Sequence, residues 1–222
     1  IMGCENRIVY DVVDVINGNA RLSQALVKDK QLENLYILPA SQTRDKDALT
    51  DEGVSEVMSE LSKQFDYIIC DSPAGIQRGA QLAMYHADEA IIVTNPEISS
   101  VRDSDRIIGI LQSQTKKVAE NQGSVREHLV ITRYNPERAA ANEMMDIDTI
   151  SNDILKVPLL GVVPESHSVL EASNHGEPVI HYGDSVAGQC YDDIVARFLG
   201  EERPLRHIDV KKKSLLQRWF RS

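Results

Sequence analysis

Tyr67-Ile-Ile-Cys-Asp-Ser-Pro-Ala-Gly75 is an apolar, β-rich run that ends in an acid and then in a Pro/Gly turn. It reads as a buried strand that delivers Asp71 to the carboxyl edge of a sheet. A carboxylate placed there can hold a hydrated Mg²⁺, and the turn Ser72, Pro73, Ala74, Gly75 can offer backbone N–H groups to a terminal phosphate. Pro73 stiffens that turn and Gly75 permits close backbone approach. The plainer reading of Asp71 is a strand-end acid that caps the next turn. No G-x-x-x-x-G-K-[ST] loop occurs in the 222 residues, so the element that cradles phosphates must lie upstream or be replaced.

Similar short runs recur at residues 35–38, 90–93, 129–132 and 159–163, separated by helical patterns. That alternation predicts an α/β fold with a mostly parallel sheet flanked by helices. Val54, Val57, Met58 and Leu61 follow the i, i+3, i+4, i+7 spacing of a helix. Ser100-Val-Arg-Asp103 resembles a capping box that opens a helix through Ile107, Ile108 and Leu111. Further helices are expected at about residues 11–16, 146–155 and 185–199. Residues 1–10 read as a loop, and the chain starts with Ile rather than Met, so the sheet's first strand is expected to be missing with the natural N-terminus.

The composition suits one soluble globular body, with 42% hydrophobic and 26% charged residues. No apolar run approaches the roughly 20 residues of a membrane span, and the N-terminal residues show no secretory pattern. Cys4, Cys70 and Cys190 are too few and too scattered for a disulfide framework or a zinc site, which suits a reducing cytoplasm. A formal charge of −10 opposes nonspecific nucleic-acid binding by the body. His167, His175 and His181 lack metal-ligand spacing and read as surface residues. There is no G-x-S-x-G elbow for a serine nucleophile and no Cys/His pairing by spacing.

In an open α/β sheet, ligands bind outside the carboxyl ends of the strands. The loops Asn95-Pro-Glu97, Arg133-Tyr-Asn-Pro136 and Pro164-Glu165 follow three predicted strands and are expected beside the Asp71 loop. Asn135 can pair with an adenine edge through its donor and acceptor, or form an Asx turn before Pro136. Glu97 suits an exposed loop acid or a contact across a nucleotide-sandwich interface. Ser99, Ser100, Arg102 and Asp103 suit either a partner surface or a solvated helix face.

A composition break at Gly200-Glu-Glu-Arg-Pro204 divides a body at residues 1–203 from a basic tail at 204–222. Ile208, Leu215, Leu216, Trp219 and Phe220 fall mostly on one helical face, rimmed by Lys211, Lys212, Lys213, Arg218 and Arg221 with no acid from Lys211 onward. This describes an amphipathic helix lying in a membrane interface. A terminal helix packed on its own body and a segment held in a partner's groove are the alternatives. Each Lys or Arg near an anionic leaflet contributes about 1 kcal/mol, and each inserted apolar side chain about 1–3 kcal/mol. Ordering costs of about 1 kcal/mol per residue leave one copy a weak anchor, whereas two linked copies bind far better.

The chain resembles the ParA/MinD family of ATPases with a deviant Walker A loop, on its membrane-associated, division-site branch. The resemblance rests on Ile1-Met-Gly-Cys-Glu-Asn-Arg7, Leu38-Pro-Ala-Ser-Gln-Thr-Arg-Asp-Lys-Asp47, Cys70-Asp-Ser-Pro-Ala-Gly75, Thr94-Asn-Pro-Glu97, Ser99-Ser-Val-Arg-Asp-Ser-Asp-Arg106, Thr132-Arg-Tyr-Asn-Pro136, Gly200-Glu-Glu-Arg-Pro204 and the tail. It covers essentially the whole chain and implies a P-loop NTPase-like fold that uses ATP and Mg²⁺. By resemblance, Asp71 is the Walker B-type acid acting on Mg²⁺ through water, and Ser72, Pro73, Ala74 and Gly75 form the region that senses the γ-phosphate. Asn135 would face the adenine with Pro164 packed near the base. Glu97, Ser99, Arg102, Asp103 and Asp105 would lie at a dimer rim where the partners MinC and MinE compete.

The resemblance further implies a cytoplasmic protein, peripheral on the inner face of the cell membrane through its tail. An ATP-bound dimer would recruit MinC to block division-ring assembly, and MinE would release it. The family's phosphate loop, its signature lysine and its switch I aspartate are expected to precede Ile1. The intact protein is therefore expected to be an ATPase, and these 222 residues alone to neither bind ATP tightly nor hydrolyse it. The alternative from a different class is a non-catalytic membrane-bound adaptor. An iron–sulfur scaffold ATPase would call for a Cys-x-x-Cys pair, which is absent.

Overall fold

The computed structural model describes residues 5–40, 48–72, 75–206 and 208–209. Its internal contacts divide the chain into two units, residues 1–90 with 109–126, and residues 91–108 with 127–222.

In the first unit, Asp11 opens helix α1 (Val12–Ile16) by accepting from the Val13 and Asp14 N–H groups, while Asp14 returns a bond to the Asp11 N–H. This reciprocal box fixes the predicted helix at 11–16. The short helix α2 (Leu22–Ala25) leads into β1 (Val27–Lys28), which pairs antiparallel with β2 (Tyr36–Ile37). The run at 35–38 was expected in a parallel sheet, and here it closes a local hairpin instead. Asp29 explains the difference: its Oδ1 accepts from Gln31 and Leu32 N–H, and its own N–H donates to Leu35 O at 2.8 Å. Those backbone donors hold the Asp29 carboxyl below its usual range.

Helix α3 (Asp51–Ser62) carries the predicted spacing, with Val57 and Leu61 buried and Thr50 Oγ1 accepting the Gly53 N–H at 3.1 Å. Phe65 beyond its end meets the Tyr36 ring at 5.4 Å between centroids. The expected strand at 67–70 is not formed. Residues 67–72 make no strand ladder, and Ile69 is 91% exposed. A strand exists only with a neighbour to satisfy its backbone, and none of the described residues supplies one here. Helix α4 (Arg78–Tyr85) follows, held to α3 by Arg78 against Asp51 at 3.5 Å and by Ser55 Oγ against His86 Nε2 at 3.3 Å.

Strand β3 (Glu89–Thr94) and helix α5 (Ile98–Ser113) pass from one unit to the other, and α6 (Lys116–Ala119) completes the first. β4 (Arg126–Tyr134), helix α7 (Pro136–Ala140), a π-helical stretch (Thr149–Leu155), β5 (Leu159–Pro164), α8 (His167–His175) and α9 (Val186–Phe198) follow. The sheet order is β3-β4-β5, with β5 parallel to β4 and Leu129 opposite Leu159. The α/β class with parallel strands and flanking helices thus agrees with the sequence reading, and the expected helices at 146–155 and 185–199 are present.

The predicted capping box at residues 100–103 is not what opens α5. The helix starts at Ile98, with Val101 N–H already bonded to Glu97 O at 3.0 Å, so Ser100 lies inside its first turn. Asp103 faces Arg106 at 3.4 Å on the exposed side. In the second unit, Val130, Leu160, Val163, Ala187, Cys190 and Ile194 form a buried cluster between β4, β5 and α9. Gly161 makes that close packing possible, because a Cβ there would run into Ile194 and Arg197 Nη1.

Candidate functional site

The loops that leave β3, β4 and β5 border one concavity of about 670 Å³ in the second unit. Asn95, Pro96, Glu97, Ile98 and Ser99 come from the β3 exit, Arg133 from the end of β4, and Glu165 from the β5 exit; the segment from Arg138 to Asp146 supplies the rest of the wall. Parallel strands bring their carboxyl ends to one edge, so these three loops meet because β3, β4 and β5 are neighbours.

Hydrogen bonds fix the rim. Thr94 Oγ1 lies 3.1 Å from Ser100 Oγ, which also accepts the Asn95 N–H, and Thr132 Oγ1 donates to Thr94 O at 3.4 Å. Glu165 N–H donates to Tyr134 O at 3.0 Å, and Met145 N–H to Pro96 O at 3.4 Å. Arg133 adopts φ +55, where the β4–β5 register shifts between Ile131 and Tyr134. Left-handed backbone at a non-glycine residue costs about 1–3 kcal/mol and concentrates at binding sites. The bulge aims Arg133 at the concavity.

Asn135 forms the local turn before Pro136 that is one of its two sequence readings. Its Oδ1 accepts from Glu137 N–H at 3.0 Å and Arg138 N–H at 3.1 Å, which makes it the N-cap of α7 with Pro136 in the first turn. Its own N–H donates to Met144 Sδ at 3.4 Å. Neither Asn135 nor Pro164 is among the residues that line the concavity; Pro164 pairs in register with Tyr134. Glu97 and Ser99 do line it, whereas Arg102, Asp103 and Asp105 are exposed farther along α5.

Asp146 at the wall and Tyr134, the chain neighbour of Arg133, are electrostatically tuned. Asp146 accepts from the Thr149 N–H at 2.9 Å and the Thr149 hydroxyl at 2.7 Å, and those bonds hold its carboxyl below the usual range. Burial pushes the Tyr134 hydroxyl up, and the charges of Asp146, Asp148 and Asp209 push it the same way. Arg133 was placed only as the first residue of a strand-end loop, and Arg138, Asn142, Met144 and Met145 were not singled out in the sequence. Only the Arg-x-x-x-x-Arg spacing and the paired methionines hinted at them.

In the first unit, Asp71 and Ser72 are exposed. Gly75 adopts φ +101 with open space where a Cβ would stand. Pro73 and Ala74 lie outside the described residues, as do Lys211, Lys212, Lys213, Leu215, Leu216, Arg218, Trp219, Phe220 and Arg221 of the tail. Ile208 is half-buried. Among the described residues no group of three or more His, Cys, Asp or Glu is placed to hold a metal, and no helix is long and apolar enough to cross a membrane.

A family model for the CobQ/CobB/MinD/ParA nucleotide binding domain matches residues 10–179. The fold is therefore that of the P-loop NTPase-like nucleotide-binding class. The septum site-determining protein MinD of Neisseria meningitidis serogroup B is 63% identical over 223 residues, spanning 99% of this chain and 82% of the relative. Among solved structures, the MinC:MinD cell division complex of Aquifex aeolicus superposes with TM-score 0.79 at 36% identity, over 93% of this chain and 80% of that chain. The septum site-determining protein MinD of Pyrococcus horikoshii, complexed with Mg-ADP, superposes with TM-score 0.67 at 29% identity, over 87% of this chain and 76% of that one. This chain belongs to the MinD family of septum site-determining ATPases.

Proposed function

We propose that this chain supplies the Mg²⁺-facing acid, the base-side loops and the membrane tail of a MinD-type ATPase that selects the division site. The observation that carries the reading is the concavity at the carboxyl ends of β3, β4 and β5, where a ligand of an open α/β sheet binds. Asp71 would hold Mg²⁺ through water, and the exposed Asp71 and Ser72 with a left-handed Gly75 fit a backbone turn approached closely by phosphate. The bound metal would neutralise charge on the phosphate oxygens. Asn135 and Pro164 would stand on the base side, with Glu97, Ser99, Arg102, Asp103 and Asp105 on the face that meets a second copy, MinC or MinE. In this reading the body at 1–203 closes into a dimer with ATP, and the tail at 204–222 holds that dimer on the inner face of the cell membrane. The membrane-held dimer recruits MinC, which blocks division-ring assembly, until MinE releases it.

The MinC partnership draws support from the Aquifex complex, and the nucleotide and Mg²⁺ from the Mg-ADP form of the Pyrococcus protein. The test is a chimera that places the Gly/Lys-rich phosphate-loop segment of a MinD relative ahead of Ile1. Mg-ATP turnover is expected from the chimera, falling by about 10²-fold or more with Asp71→Ala. Turnover that ignores Asp71→Ala would remove Asp71 from the site. A chimera that binds MinC without any turnover would favour the non-catalytic adaptor.

A further inference from the structure

Asp193 stands on the buried side of α9, two per cent exposed, among Cys190, Ile194 and Ala196. A carboxylate in such a place costs too much unless it is paired. Its partners come from the chain beyond the helix. Arg206 puts Nε 2.8 Å from Oδ2 and donates from Nη2 to Oδ1 at 3.3 Å, and Arg203 Nη1 stands 3.9 Å from Oδ1.

Three further contacts hold the intervening segment in place. Gly200, at φ +93, reverses the chain at the end of α9, with Glu201 N–H bonded to Ala196 O at 2.9 Å. Arg197 then donates from Nε to Arg203 O at 2.9 Å and from Nη2 to Pro204 O at 3.0 Å, while its Nη1 donates to Leu160 O of β5. Residues 201–206 are thus tied both to α9 and to the sheet.

We propose that Asp193 is a positioning residue for membrane attachment, acting through Arg206 to fix the point from which the basic tail leaves the body. The inference rests on the reading of the tail as a membrane-binding segment. From Arg206 to Lys211 there are five residue steps, a reach of at most ~17 Å however the chain runs. Were the segment released back to Leu199, twelve steps would separate the body from the same lysine, a reach of up to ~41 Å. The joint therefore keeps the α9 end of the second unit close against an anionic lipid surface. Because the carboxylate is buried, salt screens this contact far less than it screens the tail's own attraction to lipid.

Neutron reflectometry of the full chain on a supported bilayer of phosphatidylcholine and phosphatidylglycerol measures the water gap between headgroups and body. Asp193→Asn combined with Arg197→Gln, checked for folding by circular dichroism, removes both side-chain ties and should widen that gap by roughly 7 Å, the difference between random-coil spans of twelve and five residues. Arg206→Gln, which leaves the Arg197 contacts to Arg203 O and Pro204 O in place, should widen it in the same direction by less and decides the matter if the double variant does not fold. A Gly/Ser insertion of about seven residues after Asp209 should reproduce the widening with the joint intact. Bound protein whose gap is unchanged by the folded joint variants overturns the proposal alone. A chain that does not bind the bilayer overturns the membrane reading and the proposal together.

Discussion

Ser100 Oγ lies 3.1 Å from Thr94 Oγ1 and accepts the Asn95 N–H at 3.2 Å, so one hydroxyl joins the end of β3 to the first turn of α5. Thr94 is 1% exposed, and water does not replace a partner lost there. Ser100→Ala should therefore cost about 1–2 kcal/mol, read as a lower denaturant midpoint at unchanged m. Ser100→Thr keeps the hydroxyl and should recover most of the loss. Equal stability of the alanine variant would show that the rim is held by backbone alone.

His86 packs its Nε2 3.3 Å from Ser55 Oγ, and its ring meets Tyr85 edge-on at 5.0 Å. Burial lowers its pKa below the ordinary 6.5 and nearby Lys116 lowers it further, with Asp51 opposing. The unfolded chain then takes up the proton at a higher pH than the folded one. The His86 contribution to stability is complete above pH 6.5 and is lost as pH falls through the folded value. Urea midpoints measured from pH 7.5 downward should decline, and His86→Gln should remove part of that slope. A slope identical in the variant would assign the decline to other groups.

Gly161 sits where β5 meets α9, and any Cβ would press on Ile194 and Arg197 Nη1. Gly161→Ala should cost about 1–3 kcal/mol, as overpacking does in a filled core. Because Arg197 also holds Arg203 O and Pro204 O, the same change should expose the 201–206 segment to hydrogen exchange before the rest of the second unit. Uniform exchange across that unit would mean that Arg197 does not transmit the strain.

Most of the second unit was legible in the sequence because its elements answer to local pattern. β4 and β5 are apolar runs with neighbours on the described sheet, and Ser185 caps α9 where the apolar spacing starts. The run at 67–70 has the same local chemistry and forms no strand, since a strand depends on a ladder partner that composition does not reveal. Residues 35–38 went to a hairpin because Asp29, six residues upstream, offers its carboxylate to the turn. At the candidate site, strand-end position located Glu97, Ser99 and Glu165. It placed the Arg133 loop but not the left-handed backbone of Arg133, which depends on a register shift, nor Asp193, whose partners return from ten and thirteen residues downstream. A lone carboxylate on the apolar face of α9 was the available signal for that joint.

Asn135 allows its two readings to be separated. Capping of α7 uses only Oδ1, which accepts from the Glu137 and Arg138 N–H groups, whereas recognition of an adenine edge also needs the Nδ2 donor. Asn135→Asp keeps a capping oxygen and adds a charge favoured at a helix N-terminus, so thermal stability should match the parent. Asn135→Ala should lose about 1 kcal/mol. In a chimera that binds ATP, both variants should weaken ATP relative to a nucleotide that lacks the amino group, if the amide reads the base. Should Asn135→Asp leave both stability and base preference untouched, the residue serves α7 alone and the base is read elsewhere on the rim.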